Sequence, residues 1–346
     1  MKVHISDFDY DLPAELIAQE PLAERDASRM LVLDREKQTW SDSSFKDFTQ
    51  YLHPNDVVVV NNSRVIPARL TGHREETGGQ VEIFLVRELE NEIWEALVRP
   101  GARLKKGSRA IFGEGKLVAE LLDKPGAELR RVRFYCGGSF DDVLAEIGST
   151  PLPPYIKRPA GASAKDRERY QTVYSKQRGA IAAPTAGLHF TPETLEQVKQ
   201  RASIAAVTLH VGYGTFEPVR VDDIAEHSVS GEQFEISESA ADTINQARAN
   251  GGRIIVVGTT TMRALESAAT ENNTVTAGKA LATLTIKPGF SFRIADALLT
   301  NFHLPRSSLL ILLSAFAGGE FVLRAYRHAI AERYRFYSYG DCMLIL

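Results

Sequence analysis

Apolar positions fall along this chain in three textures. Near the start they form short continuous runs: Met30-Leu31-Val32-Leu33, and Val57-Val58-Val59-Val60 after Asp56. Such runs, bounded by turn residues, read as buried strands, and the second ends at the polar turn Asn61-Asn62-Ser63-Arg64. Ahead of them, Asp11-Leu12-Pro13 reads as the entry to a short helix over residues 14–18, stopped at Pro21. From about residue 70 to 149 the texture changes to short alternating runs at 81–86, 93–98, 110–112, 117–121 and 132–135, separated by glycine-rich turns. Many short strands at that spacing predict an antiparallel barrel or sandwich. Pro151, Pro153 and Pro154 then close the module, because proline blocks both helix and ladder.

Beyond residue 151 the pattern becomes strand, helix, strand. Residues 180–183, 204–211 and 253–258 read as buried strands. Thr191-Pro192-Glu193 supplies an N-cap, a proline at the first helical position and an acid in the first turn. Ser237 or Ser239 starts another helix, which Asn250-Gly251-Gly252 ends. Residues 259–269 continue as a helix directly from the strand at 253–258. Ser307 or Ser308 caps the apolar helix that follows, and 321–334 forms the last one. The polar stretch 271–279 reads as a surface loop, and 161–169 as a charged, mobile one.

Composition narrows this little. With 44% hydrophobic and 25% charged residues over 346 positions, the chain can form two domains and a large core without disulfides or metals. Cys136 and Cys342 lie outside any CxxC or Cys/His spacing and read as reduced thiols of a cytoplasmic protein. The N-terminus has no apolar core of signal-peptide length, and the most apolar run, 309–317, is too short to span a bilayer. A net charge of -3 confines any RNA binding to a local patch. Arg99, Arg103, Lys105, Lys106, Arg109, Arg130, Arg131, Arg133, Lys157 and Arg158 are the residues for it, with Tyr155 and Tyr170 as stacking partners. A solvated charged face explains the same residues.

Two segments carry chemistry more pointedly: Pro184-Thr185-Ala186-Gly187-Leu188-His189-Phe190 and Asn301-Phe302-His303-Leu304-Pro305-Arg306-Ser307-Ser308. Each sets a histidine and hydroxyl or amide groups among apolar residues, a mixture that demands partners when buried. Gly258-Thr259-Thr260-Thr261-Met262-Arg263 joins a strand to a helix, where open α/β sheets bind ligands; a plain helix start reads the same way. No Gly-x-Gly-x-x-Gly is present, which disfavours a dinucleotide site. His189, His210 and His303 recur in similar settings but lack the short paired spacing of zinc motifs. Asp341, after Tyr337-Ser338-Tyr339-Gly340, is either a general base of raised pKa or a turn aspartate. Arg25, Asp26, Ser28 and Arg29 make a compact charged cluster, either a substrate contact or a solvated salt-bridge group.

These segments resemble the S-adenosylmethionine:tRNA ribosyltransferase-isomerase family of queuosine biosynthesis. The likeness extends to Phe8-Asp9-Tyr10-Asp11-Leu12-Pro13, Arg25-Asp26-Ala27-Ser28-Arg29, Asn61-Asn62-Ser63-Arg64-Val65-Ile66-Pro67-Ala68-Arg69-Leu70, Arg99-Pro100-Gly101, Tyr170-Gln171-Thr172-Val173-Tyr174-Ser175, Glu217-Pro218-Val219 and Tyr334-Arg335-Phe336-Tyr337-Ser338-Tyr339-Gly340-Asp341. It spans nearly the whole chain. It implies an α/β main domain, residues 1–69 and 151–346, with an antiparallel β-barrel domain, residues 70–150, inserted into it. One departure is Ala280-Leu281-Ala282-Thr283-Leu284-Thr285-Ile286, which lacks the family's glycine and phenylalanine before Pro288-Gly289-Phe290. If that strand end lines the pocket, the pocket's shape differs here. Tyr213 and Cys342 replace smaller residues and read as packing variation.

The implied reaction joins the ribosyl part of S-adenosylmethionine to 7-aminomethyl-7-deazaguanine at the wobble position of a tRNA. Epoxyqueuosine-tRNA, adenine and methionine are the products. It needs a base, an acid and a dry pocket, and no cofactor beyond the co-substrate. On this basis His189, His303 and Asp341 are the candidates for proton transfer. Thr259, Thr260 and Arg263 are candidates for the methionine carboxylate or ribose hydroxyls, and Asn61, Ser63 and Arg64 for orienting the substrate. Tyr337 and Tyr339 are placed to stack on a base, and Thr185, Gly187, His210 and Asn301 complete the binding set. A cytoplasmic monomer acting on tRNA, away from membranes, is expected. A tRNA-binding accessory protein without catalysis and a methyltransferase using the same co-substrate remain the alternatives.

Overall fold

Val57–Asn61 is buried at all five positions, as a strand covered on both faces must be. In the computed structural model, which describes residues 2–346 apart from 91, 160, 213, 215–218 and the side chain of residue 103, it sits near the middle of a nine-stranded sheet. Across the sheet the strands run Gly278–Ala282, Glu232–Ile236, Ser203–Leu209, Val57–Asn61, Ile254–Val257, Ala297–Asn301, Cys342–Ile345, Arg29–Asp34 and Thr39–Ser44. The chain leaves Val57–Asn61 on one side for Ser203–Leu209 and returns on its other side as Ile254–Val257. These strands, with Ala297–Asn301, are parallel, so their carboxyl ends share one edge. Cys342–Ile345 runs against Ala297–Asn301, and Arg29–Asp34 runs with Cys342–Ile345, so both of those begin at that same edge.

The barrel is closed from Arg130–Cys136, Ile93–Arg99, Gln80–Glu90, Arg69–Arg74, Arg109–Phe112 and Leu117–Leu121. Burial alternates along its strands, most cleanly in Leu117–Leu121 and Arg130–Cys136, and Phe112, Phe134 and Trp94 fill its core. Closure leaves no sheet edge to pair elsewhere. Helix Phe140–Ile147 adds Phe140 and Leu144 to that core. A parallel two-stranded ribbon, Ser63–Val65 with Gln177–Ala180, ties together the chain entering and leaving this insertion. The fold is thus an α/β domain carrying an inserted barrel.

Several local expectations change. The buried run at 180–183 forms no strand of the main sheet; only Ala180 pairs, at the ribbon's end. The first turn after Pro13 is a single 3-10 turn, Ala14–Leu16. The stretch at 161–169 contains the helix Ala164–Arg169, because Ser163 and Asp166 form a capping box and Arg158 pairs with the buried Asp166 at 2.9 Å. That pairing, against the burial of the group, holds the Asp166 carboxyl down at about 2. The polar loop expected at 271–279 ends in the sheet-edge strand Gly278–Ala282. The basic stretch of the barrel is partly consumed internally. Arg130 is buried and donates to the carbonyls of Gly101, Leu104 and Asp123, while Arg131 pairs with Asp123 and Arg109 with Glu75. Arg103's side chain lies outside the described residues. So do Tyr213 and the Glu217-Pro218 part of the family-like segments.

Candidate active site

The convergence of strand ends at one edge of the sheet creates the site. Over the carboxyl ends of Ile254–Val257 and Ala297–Asn301 lies a cavity of about 260 Å³. Pro184, Thr185 and Ala186 form one wall, Gly258, Thr259 and Thr260 a second, and the segment from Thr300 to Leu309 a third. Tyr155, Tyr170, Tyr337 and Ser338 close an aromatic side, and Leu284, Thr285 and Ile286 an apolar one. The departing segment 280–286 therefore does shape the cavity.

Helix Thr259–Ser267 points its N-terminus into this space. Gly258, at φ 91°, occupies the left-handed region that lets the strand turn straight into the helix, and having no side chain it offers no cap. Met262 makes the first helical backbone bond, to Gly258, so the amides of Thr259, Thr260 and Thr261 have no acceptor among the described residues. Thr259 is 5% exposed, lines the cavity and makes no hydrogen bond with its hydroxyl among the described residues. Partly positive, uncapped and acid-free in its first turn, this end is built to receive an anion. Arg263 is differently placed. It donates to Glu232 at 2.5 Å and to the carbonyls of Leu284, Ala282 and Ser230. All three of its nitrogens are occupied, so it braces the cavity wall; a substrate carboxylate would have to displace Glu232.

The two buried histidines also differ. His303 lines the cavity, its Nε2 2.9 Å from the Thr300 hydroxyl. Where Thr300 donates to the Asn301 carbonyl, 3.4 Å away, Nε2 carries the ring proton and Nδ1 is left as an acceptor. Burial pushes its pKa down to about 3, so it is neutral at pH 7. His189 stands behind the wall, on the floor of a second cavity of about 20 Å³. Both its nitrogens are taken, Nδ1 by Ser28 Oγ at 2.9 Å and Nε2 by Asn301 Nδ2 at 3.2 Å. Burial lowers its pKa to about 4, against the Asn301 hydrogen bond that raises it. The Asn301 amide nitrogen also donates to the carbonyls of Tyr337 and Asp341, which fixes the amide's orientation.

Asp341 is 2% exposed and lines neither cavity. Its two oxygens accept from the backbone amides of Arg29 and Arg335, at 3.0 and 2.8 Å, which pins two neighbouring segments at the sheet edge. Burial raises its pKa, against those same hydrogen bonds. Tyr337 faces the large cavity in a left-handed conformation, φ 74°, while Tyr339 lines the small one. Asn61 ties strand ends through Leu209 and Ser63, Arg64 is exposed on the ribbon, and none of Asn61, Ser63 and Arg64 lines the cavity. His210 packs against Gly179, and Gly187 against Tyr174 and Thr172, where any Cβ would collide. Among the described residues no three His, Cys, Asp or Glu side chains form a metal-ligand group. The sequence reading missed Thr300, Ser338 and Glu232. A threonine closing the apolar run Ala297-Leu298-Leu299 was the one visible signal.

Known proteins resemble this chain along its whole length. The family described as queuosine biosynthesis protein matches residues 5–345. The S-adenosylmethionine:tRNA ribosyltransferase-isomerase of Desulforamulus reducens is 48% identical over 345 residues, covering 99% of this chain and 100% of that protein. The protein of the same name from Pelotomaculum thermopropionicum is 49% identical over 345 residues, with the same coverage. The crystal structure of the S-adenosylmethionine tRNA ribosyltransferase of Thermotoga maritima superposes with a TM-score of 0.55 at 38% identity, covering 99% of this chain and 100% of that one. With likeness running from end to end, the chain belongs to the queuosine biosynthesis protein family, that of the S-adenosylmethionine:tRNA ribosyltransferase-isomerases.

Proposed function

We propose that this chain transfers and isomerises the ribosyl group of S-adenosylmethionine onto 7-aminomethyl-7-deazaguanine at the wobble position of a tRNA. Adenine and methionine leave, and epoxyqueuosine remains in the tRNA. One observation carries the reading: segments distant in sequence line a single sheltered cavity that joins an anion-binding helix end, a neutral histidine with an open nitrogen, and an aromatic wall.

The methionine carboxylate sits on the free amides of residues 259–261 and the Thr259 hydroxyl. Tyr155, Tyr170 and Tyr337 hold a base and keep water away from the reacting sugar. His303 Nδ1 takes the proton that the sulfonium acidifies on the adjacent ribose carbon. The sugar ring opens and adenine departs, and the resulting imidazolium, a strong acid in so buried a place, supplies adenine with a proton. The tRNA aminomethyl nitrogen attacks the opened sugar, and a sugar alkoxide displaces methionine to close the epoxide. His189 and Asp341 act at one remove, His189 by orienting Asn301 and Asp341 by fixing the strand starts. No metal or redox group enters the scheme.

The test is incubation with S-adenosylmethionine and tRNA bearing or lacking the aminomethyl base, followed by chromatography. Adenine is expected only with the modified tRNA. S-adenosylhomocysteine instead would identify a methyltransferase, and no small product at all a binding protein.

A further inference from the structure

The charged cluster after Pro21 takes no part in that scheme, yet it borders the second cavity. Arg25, Arg169 and Ser28 line this cavity with His189, Ser338 and Tyr339. Glu24 lines it too, whereas Arg335 stands outside the lining, near enough that its charge, like that of Arg25, bears on His189 and lowers its pKa. Arg25, Arg169 and Arg335 are all half-buried, and none forms an ion pair among the described residues. Other arginines of this fold commonly do, as Arg158, Arg253 and Arg263 show. Of the carboxylates nearby, Glu24 pairs with Lys46 and Glu20 with Arg158; Glu168 favours the charged form of Arg25, and Asp341, which accepts from backbone amides, that of Arg335, but neither forms an ion pair with its arginine among the described residues.

Backbone carbonyls fix the three guanidinium groups instead. Arg25 donates to Leu188 and Glu168, Arg169 to Ala23, and Arg335 to Glu20. Arg169 Nε, Arg335 Nη1 and the Tyr339 hydroxyl are left buried without partners among the described residues. Like charges gathered at a cavity, partly desolvated and without a directly paired carboxylate, gain when an anion arrives. Burial and then the charge of Arg169 lower the Arg25 pKa, a direct sign of what that gathering costs. A cavity of about 20 Å³ has room for one or two oxygen-sized groups, since a water needs about 10–15 Å³. That matches the non-bridging oxygens of a phosphodiester, which planar guanidinium forks recognise well.

We propose that Arg25 and Arg169, with Arg335 adding its charge from just outside the lining, form a phosphate subsite that holds a backbone phosphate of the RNA substrate. Ser338 lines both cavities, so a phosphate held here lies one residue's width from the large cavity and anchors the strand whose base enters it. The subsite rests on the proposed RNA substrate but not on the proposed chemistry.

The test uses the full chain and Arg25→Gln, Arg169→Gln and Arg335→Gln variants, each checked by circular dichroism and thermal melting. Fluorescence anisotropy with tRNA, at several salt concentrations, measures affinity without turnover. Each variant is expected to bind tRNA about 10-fold more weakly, with the slope of log affinity against log salt smaller by about 1. The KM for S-adenosylmethionine should stay unchanged. Inorganic phosphate should compete with tRNA for the wild type and less well for the variants. Folded variants with wild-type tRNA affinity and salt slope overturn the proposal, as do variants that lose only inorganic phosphate, which would mark a free-anion site. Should one variant not fold, the other two decide. Wild-type protein that binds tRNA through these arginines but releases no adenine would sink the proposed reaction and leave the subsite standing.

Discussion

Two cavities of this protein meet at Ser338, and each is lined by a buried, neutral histidine. They differ in what those histidines have left to offer. His303 keeps an open nitrogen facing a space of about 260 Å³, whereas His189 has both nitrogens engaged beside one of about 20 Å³. Burial and a lowered pKa are common to both, so neither property identifies a proton acceptor by itself. The open position is what sets them apart. The same contrast separates Thr259, whose hydroxyl has no partner among the described residues, from Arg263, all of whose nitrogens are occupied.

That contrast is breakable by experiment. His303→Gln should lower the rate of adenine release in a single turnover by about 10²–10⁴, the usual worth of a general base, with S-adenosylmethionine binding retained. A wild-type rate in a folded His303→Gln protein would remove the distinction between the two histidines. Arg263→Met should act on the fold instead: breaking the buried Arg263–Glu232 ion pair costs about 3–5 kcal/mol in denaturant unfolding. A variant as stable as wild type, but with weakened S-adenosylmethionine binding, would return Arg263 to the substrate.

His189→Gln sharpens the comparison through pH. The folded value for His189 is about 4, against about 6.5 in the unfolded chain. Above pH 6.5 both states are neutral and the group adds no slope. Between pH 6.5 and 4 only the unfolded state takes the proton, so stability falls as pH falls, by a total on the order of 3 kcal/mol. Unfolding curves of His189→Gln should be flatter across that window, and an unchanged slope would show that His189 titrates freely. Smallest is Thr259→Val, which keeps shape and removes one hydroxyl. It should raise the KM for S-adenosylmethionine about 10-fold, the worth of one hydrogen bond to a charged group, with little effect on kcat. An unchanged KM would leave the carboxylate to the backbone amides alone.

Much of the fold was legible because it is written in local periodicity. Val57–Asn61 and Ile254–Val257 announced themselves as unbroken apolar runs, and the barrel strands by alternation. Ser237, Thr191 and Ser307 cap the helices they were expected to cap, because a cap is a contact between residues two or three apart. Residues 180–183 misled because an apolar run records burial, not pairing, and these residues pack between domains with Ile181 in the barrel's core. The site was legible only as a set of suspicious segments. Thr300 and Glu232 carried no motif, and their roles depend on partners three and thirty-one residues away.

By itself, then, the sequence determined the elements, the family and the residue types available for chemistry, because these depend on neighbours along the chain. Tertiary structure alone decided which of those side chains keep a free donor or acceptor and which use it up on the protein. That outcome follows from strand order: the antiparallel return of Cys342–Ile345 brings Asp341 against Arg29 and carries the Tyr337–Gly340 segment between the cavities. A hydrogen-bond valence is filled by whatever lies within about 3 Å in space, and sequence distance has no bearing on it.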